Sequence, residues 1–246
     1  MIKLEKTEVV GWEAAIRGMR NPMNSWDKSD SRYSCLCMDD KRDCPIEPYI
    51  VGPKDYNLMM KLRNAGTDHR KFMRMIVVYV DITAMQPWWS EFDTYKISTV
   101  RNSCSKMHKI HVKEFTEDDF EHKGIDECGD FTKSVFKVVI EQCEVLRKKF
   151  NATQDKKYWR ALIELLPEGY RMRATVMLNY EVLANIYKSR KNHKLNEWVD
   201  FCKWIESLPY SELITGQSLD DIPICNEIME EAKRRVTNEE NKDNEC

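Results

Sequence analysis

LLPEGYRMRATVMLNYEVLANIYKSRKNHKLNEW, residues 165–198, is the stretch from which the fold of this chain can be read. Pro167 stops the helix before it, because its ring removes a backbone donor and disfavours helical geometry at the preceding residue. Residues 171–178, RMRATVML, are strand-like. A helix is predicted from Asn179 to about Ser189, and another from Leu195 to Leu208. With 3.6 residues per turn, Asn179, Asn185 and Arg190 fall at about 0°, 240° and 20° around the axis, so Asn179 and Arg190 share a side. An N-cap asparagine and a C-terminal arginine complementing the helix dipole account for that spacing without a ligand.

Outward from this segment the chain alternates helices with fewer strands. Residues 2–10 read as a strand, Trp12–Arg20 as a helix, and NPMNSWDKSDS (21–31) as its polar exit. DYNLMMKLRNA (55–65) reads as a helix ended by Gly66, followed by a β-branched strand centred on residues 76–82. A long amphipathic helix is predicted over residues 130–150, with Phe131, Val135, Val138, Val139 and Leu146 in helical spacing. These elements predict an α+β or α/β single domain with its sheet covered by helices, and α+β with a central mixed or antiparallel sheet under long helices is the expected arrangement. No linker or internal repeat divides it, so residues 1–237 are expected to form one domain with a polar tail at 238–246.

Composition narrows the function. Lys+Arg 39 against Asp+Glu 41 leaves a net charge of −2, which provides no global field for nucleic acid or an acidic membrane. There is no apolar run near 18 residues and no signal-peptide pattern, so a cytoplasmic protein is expected. Nine cysteines, an odd number in a long chain, read as reduced thiols. Cys35, Cys37 and Cys44 cluster without a fourth ligand, and His108 and His111 form a pair without a third, so no metal is expected.

Phosphate loops of Walker or Rossmann type, H-E-x-x-H and G-x-S-x-G are all missing. Chemistry-bearing residues concentrate instead in WWSEFDTYKISTVRNSCSKMHKIH (88–111), where aromatic, acidic, basic and hydroxyl groups crowd without a clean period. The Trp88–Trp89 pair suits a core, a base-stacking pocket or a subunit contact equally. Arg17 and Arg20, three apart, share one helix face, for either a carboxylate or a phosphate. His69 precedes a basic, apolar run and reads as a satisfied structural histidine or a contact to a bound group.

Residues 165–198 resemble the C-terminal signature of the flavin-dependent thymidylate synthases: a Leu-Pro, a strand, then Asn, Asn and Arg spaced as Asn179, Asn185 and Arg190. AIRGMR (15–20) resembles that family's paired-arginine helix, and residues 64–108 resemble its central block. The family's Arg-His-Arg motif is replaced: the register that aligns Ser98 and Ser103 puts Asp93, Thr94, Tyr95 and Lys96 in its place. Lys96, Arg101 and Lys106 supply positive charge by another route, although an ammonium does not reproduce a guanidinium fork. The family arginine before the Leu-Pro is Ile163, with Arg160 one turn earlier as a substitute, and Glu181 replaces another arginine.

The resemblance implies FAD as cofactor, dUMP as substrate, methylenetetrahydrofolate and NADPH as co-substrates, and a homotetramer. It implies that Arg190 meets the pyrimidine and favours ionisation of its N3, that Arg20, Ser98, Ser103 and Arg160 contact the nucleotide, and that His69, Lys96, Arg101, Asn179 and Asn185 contact the flavin. Reduced flavin starts the chemistry in such enzymes, so no thiol needs to be a nucleophile. Two classes of function follow: reductive methylation of dUMP to dTMP, or a related C5 modification, and a non-catalytic nucleotide-binding or interaction protein on the same fold. A helical interaction module with no small ligand leaves residues 88–96 unexplained.

Overall fold

The computed structural model describes residues 1–33 and 49–216. In chain order its elements begin with β1 (Lys3–Val10), α1 (Trp12–Arg20), β2 (Arg32–Tyr33), β3 (Tyr49–Ile50) and α2 (Pro53–Asn64). Next come β4 (Val77–Met85), α3 (Gln86–Phe92), β5 (Val100–Ser103), α4 (Lys106–Lys109) and α5 (Lys123–Glu127). The remainder comprises α6 (Asp130–Thr153), α7 (Lys156–Leu165), β6 (Arg171–Asn179), α8 (Tyr180–Arg190), α9 (Asn196–Glu206) and α10 (Glu212–Thr215). The described residues pack as two compact units, one of residues 1–11 and 74–205, the other of residues 12–33, 49–73 and 206–216.

The first unit holds a four-stranded sheet in the order β1-β4-β6-β5, antiparallel at every pairing. Of the two arrangements the sequence left open, the sheet takes the antiparallel one. β4 and β6 pair without interruption from Val77 opposite Asn179 to Met85 opposite Arg171. Alternation explains that register: Val78, Val80, Ile82 and Ala84 on β4, and Ala174, Val176 and Leu178 on β6, are all buried, and a one-residue slip would turn each set outward. The opposite face mixes apolar side chains such as Tyr79, Met177 and Val100 with a polar cluster in which Asp81 accepts hydrogen bonds from Thr175 Oγ1 at 2.6 Å and Arg173 Nη2 at 2.7 Å. At Gly11, where φ is +94°, a Cβ would overlap the Met75 carbonyl oxygen, so only glycine fits the exit of β1.

The stretch without a period resolves into α3, β5 and α4, elements too short for a window to register. Trp88 and Trp89 are core residues. Both are buried; Trp88 packs on Phe92, Trp198 and Phe201, and Trp89 Nε1 donates to the Ala84 and Met172 carbonyls.

On α6 the buried stripe is Phe136, Ile140 and Cys143, packed with Ile110, Phe115, Phe120 and Leu162. Val139 and Leu146 pack partly against that cluster. Phe131, Val135 and Val138, expected on the same face, are instead exposed, Phe131 by 82%. The helix carries two apolar stripes with the same i, i+4, i+7 spacing, about 140° apart, and periodicity cannot choose between them.

The second unit contains α1, the short β2–β3 ribbon, α2 and α10. Its polar centre is Asp55 on α2, fully buried. The carboxylate accepts from Arg20 Nε at 2.6 Å, Ser29 Oγ at 2.7 Å and Ser31 Oγ at 2.6 Å, and from the amides of Asp30 and Ser31.

Candidate nucleotide site around Arg190

Asn179 ends β6 and caps α8, its Oδ1 accepting from the Val182 amide at 3.0 Å. Eleven residues later Arg190 closes the helix, where the dipole favours a cation. Asn179→Ala is expected to cost about 1 kcal/mol of stability through the lost cap, read as a shift in the urea midpoint.

The side chain of Arg190 is 18% exposed. Its guanidinium lies 4.8 Å from the Trp198 ring centroid and 5.7 Å from that of Tyr95, a cation set in the corner the two rings make with each other. Nε donates to the Tyr95 hydroxyl at 2.9 Å and Nη1 to Glu91 Oε2 at 2.7 Å. Trp198 Nε1 donates to the same Glu91 oxygen at 2.6 Å. Among the described residues Nη2 makes no hydrogen bond, so two guanidinium donors remain for a ligand. α3 thus supplies Glu91 and the turn after it Tyr95, while α9 supplies Trp198 and the α8–α9 connection His193.

The other anticipated residues of this unit spread along its surface. Lys96 and Ser98 are exposed, Ser98 with a left-handed φ of 62° where the chain turns toward β5. Arg101 pairs with Asp93 at 3.0 Å and stacks 4.7 Å over Trp89. Ser103 lies opposite Ala174 at the end of β5, and Asn185 is exposed on α8. Arg160 is 78% exposed and paired with Glu164.

Arg20 and His69 belong to the second unit. Arg20 is 4% exposed; besides Asp55 its guanidinium donates to Ser25 Oγ and to the Ser25 and Lys28 carbonyls. Of the two partners its spacing allowed, the structure therefore shows a carboxylate, and a buried one. Arg17 is exposed, as is His69 in the turn after Gly66.

Glu91, Tyr95, His193 and Trp198 were not singled out as site residues in the sequence. Tyr95 had a signal as an occupant of the substituted motif, and Glu91, His193 and Trp198 only as members of the quoted stretches 88–111 and 165–198. Helix α4 ends before His111, and no three His, Cys, Asp or Glu among the described residues are placed to hold a metal. Cys35, Cys37 and Cys44, and the tail at 238–246, lie outside the described residues. A cavity of about 540 Å³ in the first unit, lined by residues including Met85, Glu121, His122, Cys128, Glu197 and Asp200, contains none of the anticipated site residues.

Burial pushes the Cys143 thiol up to about 11, whereas Cys104 and Cys128 are exposed. A thiolate is the reactive form, so iodoacetamide at pH 8 should label Cys104 and Cys128 and spare Cys143 in the folded chain, as read by peptide mass mapping. Labelling of Cys143 at a comparable rate would contradict its placement.

The antiparallel sheet among many helices is an α+β fold, and as a fold it is similar to that of flavin-dependent thymidylate synthases. The flavin-dependent thymidylate synthase ThyX of Helicobacter pylori, complexed with FAD and dUMP, superposes with a TM-score of 0.61 at 16% identity, over 87% of this chain and 98% of that one. A second structure of the Helicobacter pylori enzyme with FAD and dUMP gives 0.61 at 15% identity, over 88% and 98%. No family model matches the sequence, and no curated protein matches it. No described helix is long and apolar enough to cross a membrane.

Proposed function

We propose that this chain is a flavin-dependent thymidylate synthase-like enzyme that methylates dUMP to dTMP, or carries out a related C5 modification of a pyrimidine nucleotide. The observation that carries the reading is Arg190: a fixed cation with two unused donors, ending the helix after β6 on a fold shared with an enzyme solved with FAD and dUMP. A guanidinium held beside an imide stabilises its N3 anion, because the charge is already oriented and partly desolvated. Ser98 and Ser103, exposed hydroxyls on either side of the start of β5, are assigned to the nucleotide phosphate, with Arg160 as a further cation. Arg20 serves the interior of its own unit, so the pyrimidine contact is assigned to Arg190 alone.

The surface chemistry fits a phosphate-bearing flavin. Lys96, Asn185 and His69 are exposed, and Arg101 is held by a pair whose acid, Asp93, is 47% exposed; such pairs contribute about 0–1 kcal/mol and exchange readily. Within the first unit Lys96, Arg101 and Asn185, with the amide nitrogen of Asn179, would hold FAD; His69, in the second unit, is assigned to the flavin on the resemblance alone. When bound, FAD supplies hydride chemistry, with NADPH as reductant and methylenetetrahydrofolate as carbon donor. The proposal includes a homotetramer, a cytoplasmic location and one functional domain over residues 1–237.

One observation favours a second reading, a nucleotide-binding protein without turnover. Tyr95 stands where the family motif has a cation and donates no charge, and its hydroxyl accepts from Arg190. Purified protein decides between them. The enzyme is expected to be yellow, near one flavin per chain, and to oxidise NADPH only with dUMP present. A colourless protein whose melting temperature rises with dUMP would instead establish the binding function. Neither response would reject both.

A further inference from the structure

Two nitrogen donors hydrogen-bond one oxygen, Glu91 Oε2, and a third nitrogen lies close to it. Arg190 Nη1 reaches it at 2.7 Å, Trp198 Nε1 at 2.6 Å and His193 Nε2 at 3.5 Å. The role of His193 follows from its other nitrogen. The Leu195 amide donates to Nδ1 at 3.1 Å, so Nδ1 bears no proton and the ring proton sits on Nε2. The 3.0 Å approach of Arg190 Nη1 to Nε2 is then a meeting of two donors, which is favourable only where both face a shared acceptor.

The donors are more deeply buried than the acceptor. Trp198 is fully buried between Trp88 and Phe201, and the side chains of Arg190 and His193 are 18% and 19% exposed. Glu91, at 38%, is the most exposed member, on the seven-residue helix α3. Rigid donors aimed at one point form a preorganised receptor for a negatively charged oxygen.

We propose that Arg190, His193 and Trp198 form a receptor for an anionic oxygen, and that Glu91 is its internal occupant, which a ligand must displace. The ligand class is a small molecule presenting a carboxylate or an ionised imide oxygen. That the natural ligand is a pyrimidine imide rests on the function proposed above. Glu91 then sets the affinity: a receptor open for only a fraction of the time binds more weakly by that fraction.

The test uses the full chain, labelled with nitrogen-15, and follows the indole N–H resonance of Trp198, assigned by Trp198→Phe. Acetate is the probe. In Glu91→Ala, acetate should move this resonance saturably toward its wild-type position, with an affinity at least ~10-fold above that of the wild-type chain. Glu91→Gln, which keeps the shape and removes the charge, should also bind acetate more tightly than the wild type and covers the case in which the alanine variant does not fold. A resonance indifferent to acetate in both variants, or equal acetate affinity in variant and wild type, would overturn the receptor. Titration with dUMP separates the two claims: saturation by acetate but not by dUMP upholds the receptor and removes the pyrimidine from it.

Discussion

Arg190→Ala is expected to lower dUMP-dependent kcat/KM by about 10²–10³-fold, the loss typical when one preorganised donor to a developing anion is removed. The dUMP-induced rise in melting temperature should disappear with it. The change leaves the interior intact, because the aromatic neighbours pack on one another: Trp198 on Trp88 and Phe201, Tyr95 on Trp198. What remains is Glu91 facing Trp198 Nε1 and His193 without its cation, a half-exposed carboxylate that water can solvate. Arg190→Lys should recover only part of the loss, since an ammonium restores charge without the fork that reaches Tyr95 and Glu91 together. Nucleotide affinity and turnover unchanged in the alanine variant would remove Arg190 from the site.

The largest stability effect is expected at Asp55. Asp55→Ala leaves the Arg20 guanidinium, 4% exposed, without its counter-ion, and breaking a buried pair costs about 3–5 kcal/mol. The loss should appear as a lower urea midpoint for the full chain at pH 7, with α1, α2 and the 21–31 loop losing order first, as read by hydrogen exchange. Burial raises the Asp55 carboxyl, but hydrogen bonds from Ser31, Ser29 and Arg20 outweigh it and hold the group below its usual 3.8. A depressed carboxylate stabilises the fold above its unfolded pKa, and that contribution is lost as pH falls through the lower folded value. The wild type should therefore lose stability below about pH 4, and Asp55→Asn should be less stable at pH 7 yet flatter across the acid range. Parallel pH profiles for the two proteins would show that Asp55 is not the group responsible.

Much of this architecture was legible because its causes are local. The β-branched run of β4 and the alternation in β6 specify strands, and Asn179 specifies its own cap through a bond three residues away. It was the family resemblance carried by Asn179, Asn185 and Arg190, and not their spacing, that marked the end of α8 as a candidate site. The partners of Arg190 were not legible: Tyr95 and Glu91 lie 95 and 99 residues away in sequence, and no periodicity links α3 to α8. Arg20 shows the same limit, since its helix face was readable but its carboxylate, 35 residues on, was not.

From its residue order alone the chain determined its longer strands and helices (β1, α1, α2, β4, α6, β6, α8 and α9) and that its charge balance is near neutral, all consequences of short-range backbone geometry and composition. Tertiary structure decided that the Trp88–Trp89 pair fills the core, which of the two apolar stripes on α6 is buried, and that Glu91, Tyr95, His193 and Trp198 surround one guanidinium. Those outcomes depend on contacts between segments distant in the sequence, where packing and the pairing of buried charge select among arrangements that local preference leaves equivalent.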